Sequence, residues 1–348
     1  FKITLPNGNT YNFKHQVFTG QVQDFSNLFK DAKSFNAPIG GWDTSNATKM
    51  NGMFFGAETF NQDIGSWDVG KVKNMGSMFR NAKVFNKPLA NWDVSSVTNM
   101  RSMFHGATIF NQEINDWGSK TGKVTSMRSM FQSAVSFNKH IQTWDVSNVT
   151  TMMNMFYKAE DFNKTLNKWS TESSTAKVKS MQRMFKDATS FNNGSLNALR
   201  LDVSNVEDLR EMFRNAKNFN RNISEWTFNS EKPPKMAHFL NNAENFDKDL
   251  SSWNVELITN APNKFAPHLE SSKHPCWGKE GCAASDTIPK LSTWTPSGIT
   301  NVSPNDPLDL VLVFDREIEA TSNAKDYIIL HQANAEYSKL RTFDINKL

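Results

Sequence analysis

Val97-Thr98-Asn99-Met100-Arg101-Ser102-Met103-Phe104-His105-Gly106-Ala107-Thr108-Ile109-Phe110-Asn111-Gln112-Glu113-Ile114-Asn115-Asp116-Trp117 is one copy of a pattern that recurs about nine times between Val22 and Phe265. The neighbouring copies align column by column: Met50, Met53, Phe54, Ala57, Phe60, Asn61, Ile64, Trp67 and Asp68, then Met75, Met78, Phe79, Ala82, Phe85, Asn86, Leu89, Trp92 and Asp93. The Phe after the second Met returns at Phe29, Phe54, Phe79, Phe104, Phe131, Phe156, Phe185 and Phe213, with Leu240 and Phe265 read as continuing the row. The step is 25 residues in regular copies and 27 to 29 where residues are inserted. A period of this size predicts a solenoid whose units bury their apolar edges against one another.

The repeat accounts for the composition. All 15 Met and eight of the ten Trp of the 348 residues lie in it. A Met row can be read as a metal strip. The constant spacing of each Met to the Phe and Ala columns makes it stacked core instead, because Met is an adaptable apolar filler. Net charge is only +4, with Lys and Arg scattered, so nucleic acid is not expected as a partner. No 18-residue apolar run exists, and membrane insertion by this segment is not expected. The chain begins at Phe1 rather than Met, which reads as a processed or cut-out piece of something longer.

Within each copy, apolar residues at i, i+3, i+6, i+7 and i+10, as from Val97 to Ala107, predict a helical or 3₁₀ turn. The stretch Phe110 to Trp117 predicts a short strand pairing in parallel with its counterparts. Asp43 to Asn46 and Asp145 to Asn148 carry turn formers. The Asn row (Asn36, Asn61, Asn86, Asn111, Asn138, Asn163, Asn192, Asn220) is expected to bond backbone groups of adjacent coils, since unpaired corner backbone is costly. Asp43, Asp68, Asp93 and Asp145 form a second structural row, with weak cation binding as the alternative.

The segment 97–117 resembles the repeat of BspA-family leucine-rich-repeat surface proteins of bacteria, including mycoplasmas, over roughly 70% of the chain. The resemblance implies an extracellular, surface-anchored protein with an LRR-like solenoid, associated with adhesion or host contact. It carries no catalytic residues. Copy seven departs from the pattern by placing Leu around Leu199 and Leu201 where Trp belongs, and loops are inserted after Trp117, Trp169 and Trp226.

Residues 1–21 read as a β-hairpin cap, 22–267 as a solenoid of short parallel strands and helical or 3₁₀ turns, 268–286 as a linker, and 287–348 as a partial all-β Ig-like segment. Cys276 and Cys282, with five residues between them in the linker, read as a disulfide, with two free thiols or a Zn site as alternatives. Motifs for nucleotide binding, metalloprotease or serine-hydrolase chemistry are absent, and neither an enzyme nor a cofactor is expected.

The positions free to vary without harming the core predict the binding residues: Gln112, Glu113, His140, Gln142, Lys164 and Lys168. The expected function is a monomeric adhesion module that recognises a protein or glycan of a host or neighbouring cell through its sheet face. The alternative is a rigid spacer in a larger surface protein.

Overall fold

The computed structural model describes residues 18–171 and 174–278, together with short strands at 2–4, 10–12, 291–293, 313–314, 327–329 and 342–344. Two units are distinguished, Phe1–Ala284 and Ser285–Leu348. The first is a stack of coils. Each coil is marked by a single-residue parallel bridge, running Asp24, Lys49, Asn74, Asn99, Ser126, Thr151, Ser180, Asp208, Lys235.

The repeat is present, but the strands and helices expected of an LRR-like solenoid are not. Among the described residues the Phe110–Trp117 type of segment forms no strand, and parallel pairing is confined to isolated bridges, all just before the first Met column except Ala198 with Asn222. The Val97–Ala107 type of segment is not helical either. It is a run of overlapping β-turns, as in Met103 N–H to Met100 O, 3.2 Å, His105 N–H to Ser102 O, 3.1 Å, and Ala107 N–H to Phe104 O, 3.1 Å.

Two left-handed rows explain why no regular element forms. The residue before the second Met column has positive φ throughout (Asn27, Gly52, Ser77, Ser102 with φ 56°, Ser129, Asn154, Arg183, Glu211, His238), with Leu28 standing in that column in the first coil and Phe239 in the ninth. So does the residue before Ala (Asp31, Gly56, Asn81, Gly106, Ser133, Lys158, Asp187, Asn215, Asn242). Each sits third in a four-residue turn closed by an i→i+3 bond, which is the type II arrangement.

Between these turns every second peptide lies along the stack. Met100, Ser102, Phe104 and Gly106 donate N–H to the carbonyls of Ser126, Arg128, Met130 and Gln132 at 3.2, 2.8, 2.9 and 2.7 Å. A trans peptide sends its C=O opposite to its N–H. The carbonyls of Asn99, Arg101, Met103 and His105 accordingly accept from Met75, Ser77, Phe79 and Asn81 of the coil before. A strand would alternate these directions residue by residue. Here these four peptides of a coil point N–H toward the C-terminal end, while the Thr98 and Ile109 peptides at either side donate the other way, to Lys73 O and Lys83 O. The four form parallel spines, whose aligned dipoles add as they do in a helix but with the carbonyl end at the first coil.

The core is a set of rows. Phe79, Phe104, Phe131 and Phe156 stack with ring centroids 5.5 to 5.7 Å apart, and each lies about 4 Å from the second Phe of its own coil, as in Phe104–Phe110 at 4.0 Å. All are fully buried with the Met, Ala, Ile and Trp rows. Every indole of the Trp row from Trp67 to Trp253 finds a partner, as buried Trp requires, whereas the buried Trp277 Nε1 beyond the row has none among the described residues. Trp92, Trp117 and Trp144 donate to the carbonyls of Ile64, Leu89 and Ile114 one coil back, at 3.1, 3.0 and 2.9 Å. In the ninth coil the frame slips: Phe239 occupies the second Met row, Leu240 the Phe row, and Phe265 stacks on Phe239 at 5.5 Å. Phe265 therefore continues the Met row rather than the Phe row.

The Asn row forms a ladder. The Oδ1 of each accepts the backbone N–H of the Asn one coil on, from Asn36–Asn61 at 2.9 Å to Asn192–Asn220 at 2.9 Å, and Asp247 closes it on Asn220 at 3.2 Å. Asp43, Asp68, Asp93 and Asp145 each accept the N–H two residues on (Ser45, Gly70, Ser95, Ser147), at 2.9 to 3.1 Å, closing Asx turns. Of the inserted loops, the first forms a 3₁₀ helix, Asn115–Thr121, and the second a short helix α1, Lys168–Thr171.

At the chain start, β1 (Lys2–Thr4) and β2 (Thr10–Asn12) pair antiparallel. The connecting turn lies outside the described residues. In the second unit, β3 (Leu291–Thr293) pairs with β4 (Val313–Phe314), and β5 (Tyr327–Ile329) with β6 (Thr342–Asp344). Among the described residues these two separate two-stranded pairs do not make the all-β Ig-like segment expected there, whose core needs two facing sheets. Cys276 is half-buried, whereas Cys282 and hence the expected disulfide lie outside the described residues.

Candidate binding face

The six sequence-predicted binding residues lie along coils four to six and are not gathered into one cluster. Gln112 is half-buried and tied into the ladder, its Nε2 donating to Asn86 Oδ1 at 2.9 Å. Glu113 pairs with Lys139 of the next coil at 2.9 Å. His140 is exposed, Gln142 and Lys164 are half-buried, and Lys168 begins α1. This side is built mainly of amide ladders and turn backbone.

The opposite chemistry appears where the tandem turns face outward. Arg80, Arg101, Arg128, Lys158, Arg183, Lys186, Arg210 and Arg214 lie there in coils three to eight. Only Asp187, Asp208 and Glu211 oppose them, and no carboxylate lies on this face in the segments 74–81, 99–106, 126–133 and 151–158. The excess of cations on one face exceeds the net charge of the whole chain. The basic residues are scattered along the sequence, one or two to each repeat; stacking the coils gathers them on one face.

The two ends of this row differ. Arg210 pairs with Asp208 at 2.6 Å. Glu211, whose side chain is 10% exposed, holds Arg183, Lys186 and Arg214 at 2.6, 2.7 and 3.0 Å. Burial pushes its pKa up, but the bonds from those three cations outweigh it and bring the group down to about 2. Among the described residues Arg80, Arg101 and Arg128 make no ion pair, and the buried Nε atoms of Arg80 and Arg214 have no hydrogen-bond partner. Arg80 and Lys30 lie over the Phe55 ring at 5.2 and 5.4 Å, and Lys158 and Lys186 over Tyr157 at 5.5 and 5.4 Å. His105, between these groups, is brought down to about 4 by burial and by the charge of Arg80.

Leu201 in the Trp row leaves a cleft of about 400 Å³ lined by Leu199, Leu201, Asp202, Asn222, Glu225 and Trp226. The described residues gather no group of three His, Cys, Asp or Glu able to hold a metal ion. No helix among them is long and apolar enough to cross a membrane.

A family model described as a Mycoplasma protein of unknown function, DUF285, matches residues 9–117, 117–199 and 196–274. The chain belongs to this family. Its three consecutive matches cover the coil stack and end near its last coil, so one family unit spans several coils. No curated protein and no solved structure matches the chain.

Proposed function

We propose that the chain is the binding module of a BspA-like bacterial surface protein, acting outside the cell in adhesion to a host or neighbouring cell and carrying no catalytic site. The observation that carries this reading is the division of labour between rows. The Met, Phe, Ala, Ile and Trp rows are buried almost without exception, whereas outward positions change from coil to coil. Such a stack offers a long rigid surface whose side chains are not needed for folding, and repeat proteins use such surfaces to contact a partner over several units. A specific interface needs about 800 Å² per partner, which four or five coils supply.

The test is attachment of beads coated with the full chain to host cells. Attachment above that of albumin-coated beads is expected. Background attachment across several cell types, with the protein folded by circular dichroism, would favour the rigid-spacer alternative. Reversing charge at Glu113, Lys164 and Lys168 together asks whether the amide-ladder side takes part.

A further inference from the structure

We infer that the tandem-turn face of coils three to eight is a binding site for a linear, sulfated polysaccharide, laid over two columns of cations, Arg101 and Arg128 in one and Arg80, Lys186 and Arg214 in the other, with Lys158 beside them. The inference rests on the reading of the chain as a binding module and names the ligand chemistry that module takes.

Four features of the face define the ligand. It must be anionic, because Arg80, Arg101 and Arg128 have no carboxylate partner among the described residues and none shares their part of the face. It must be extended, because the cations are spread along the stack over six coils, one or two to a coil, at a coil step of roughly 4.8 Å. Several sulfates per disaccharide match such a density better than a single carboxylate does. Six of the eight cations on the face are Arg, whose planar fork meets a tetrahedral oxyanion through paired N–H donors. Between them stand the half-buried Ser77, Asn81, Gln132 and Asn154, neutral groups suited to sugar hydroxyls.

The same face disfavours the other polyanions and a protein partner. Single-stranded nucleic acid binds through open aromatic platforms as well as charge. Phe55 and Tyr157 are already covered by Lys30 and Arg80 and by Lys158 and Lys186. Protein interfaces anchor on exposed apolar side chains. The exposed large apolar residues of the described chain (Phe18, Val22, Leu28, Val84, Ile109, Leu196, Leu257) all lie off the turn face of coils three to eight.

The frame supplies safe substitutions. Gln already occupies the Arg80 row at Gln132 and the Arg101–Arg128 row at Gln182. The triple variant Arg80→Gln, Arg101→Gln, Arg128→Gln therefore removes three charges without altering a turn. Its charge-matched counterpart is Lys71→Gln, Lys120→Gln, Lys123→Gln, at exposed positions away from the face.

The measurement is binding of the full chain to immobilised heparin over a series of salt concentrations, with dextran and single-stranded DNA as comparison surfaces. Heparin binding is expected to weaken with salt, to fall about tenfold or more in the Arg variant with a shallower salt slope, and to change little in the Lys variant. Equal losses in the two variants would overturn the assignment to this face. Binding to DNA as tight as to heparin would overturn the ligand class. If beads attach to cells while heparin is not bound, this inference fails and the binding-module reading stands. If heparin binds as expected and beads attach to no cell, the adhesion reading fails while the site stands.

Discussion

Replacing Ser129 by Gly and by Ala tests the left-handed rows directly. Ser129 has φ 56°, is 6% exposed, and donates its N–H to Met153 O at 2.8 Å. At an ordinary backbone position Ala is more stable than Gly by about 0.4–1 kcal/mol, because Gly has more freedom to lose on folding. At positive φ the order reverses, since a Cβ in the left-handed region costs roughly 1–2 kcal/mol. Subtracting the usual advantage of Ala leaves Ser129→Gly more stable than Ser129→Ala by about 0.5–1 kcal/mol. The equivalent residue in the second coil is Gly52, so the frame accepts the glycine. Urea unfolding followed by Trp fluorescence reads the difference. With a slope near 3 kcal/mol/M, the two midpoints separate by about 0.2–0.3 M. Ser129→Val should fall lower still, by roughly 2–3 kcal/mol below wild type, because a β-branched side chain tolerates this region least. An Ala variant equal to or more stable than the Gly variant would refute the tandem type II turns and the one-way peptide spines built on them.

Phe104→Ala, which removes a fully buried ring stacked on both neighbours, should cost about 3–5 kcal/mol in the same titration; near-wild-type stability would argue against continuous aromatic rows. The Glu211 carboxyl has a folded pKa near 2, below its ordinary value of 4.5, so its stabilisation is complete above pH 4.5 and is lost as pH falls toward 2. Glu211→Gln should flatten that part of the stability–pH curve; an unchanged acid limb means the three cations are held by something else. His105, with its folded pKa near 4 below the ordinary 6.5, stays neutral in the native state while the unfolded chain gains a proton. Stability should therefore decline from pH 6.5 toward 4, and His105→Gln should reduce the decline. An NMR titration that places His105 near pH 6.5 would contradict its burial beside Arg80.

The repeat period determined a good deal by itself. Column spacing identified the Met, Phe, Ala, Ile and Trp rows of the core, because a side chain that must stack on its own counterpart one coil away cannot vary; it missed the buried row Val69, Val94 and Val146, which lies within the turn after the Asp. The Asn ladder was legible for the same reason: a polar residue kept among apolar rows has to serve backbone groups. The turn face was not legible. Apolar residues at Met100, Met103, Phe104 and Ala107 satisfy a helical template, but Gly, Asn, Asp or Ser before Met and Ala in most copies was the trace of positive φ. Once those residues turn left-handed, neither a helix nor a strand ladder can form. The Phe110–Trp117 segment misled in the opposite way, since β-forming side chains there stack without backbone pairing: the Asn side chain takes the N–H that a strand would have offered. Only the tertiary structure put Arg101 and Arg128 in one column and Arg80 on the same face. Residues more than twenty apart in sequence become neighbours through the coil step, and the charge of a face is a property of that register rather than of any local stretch.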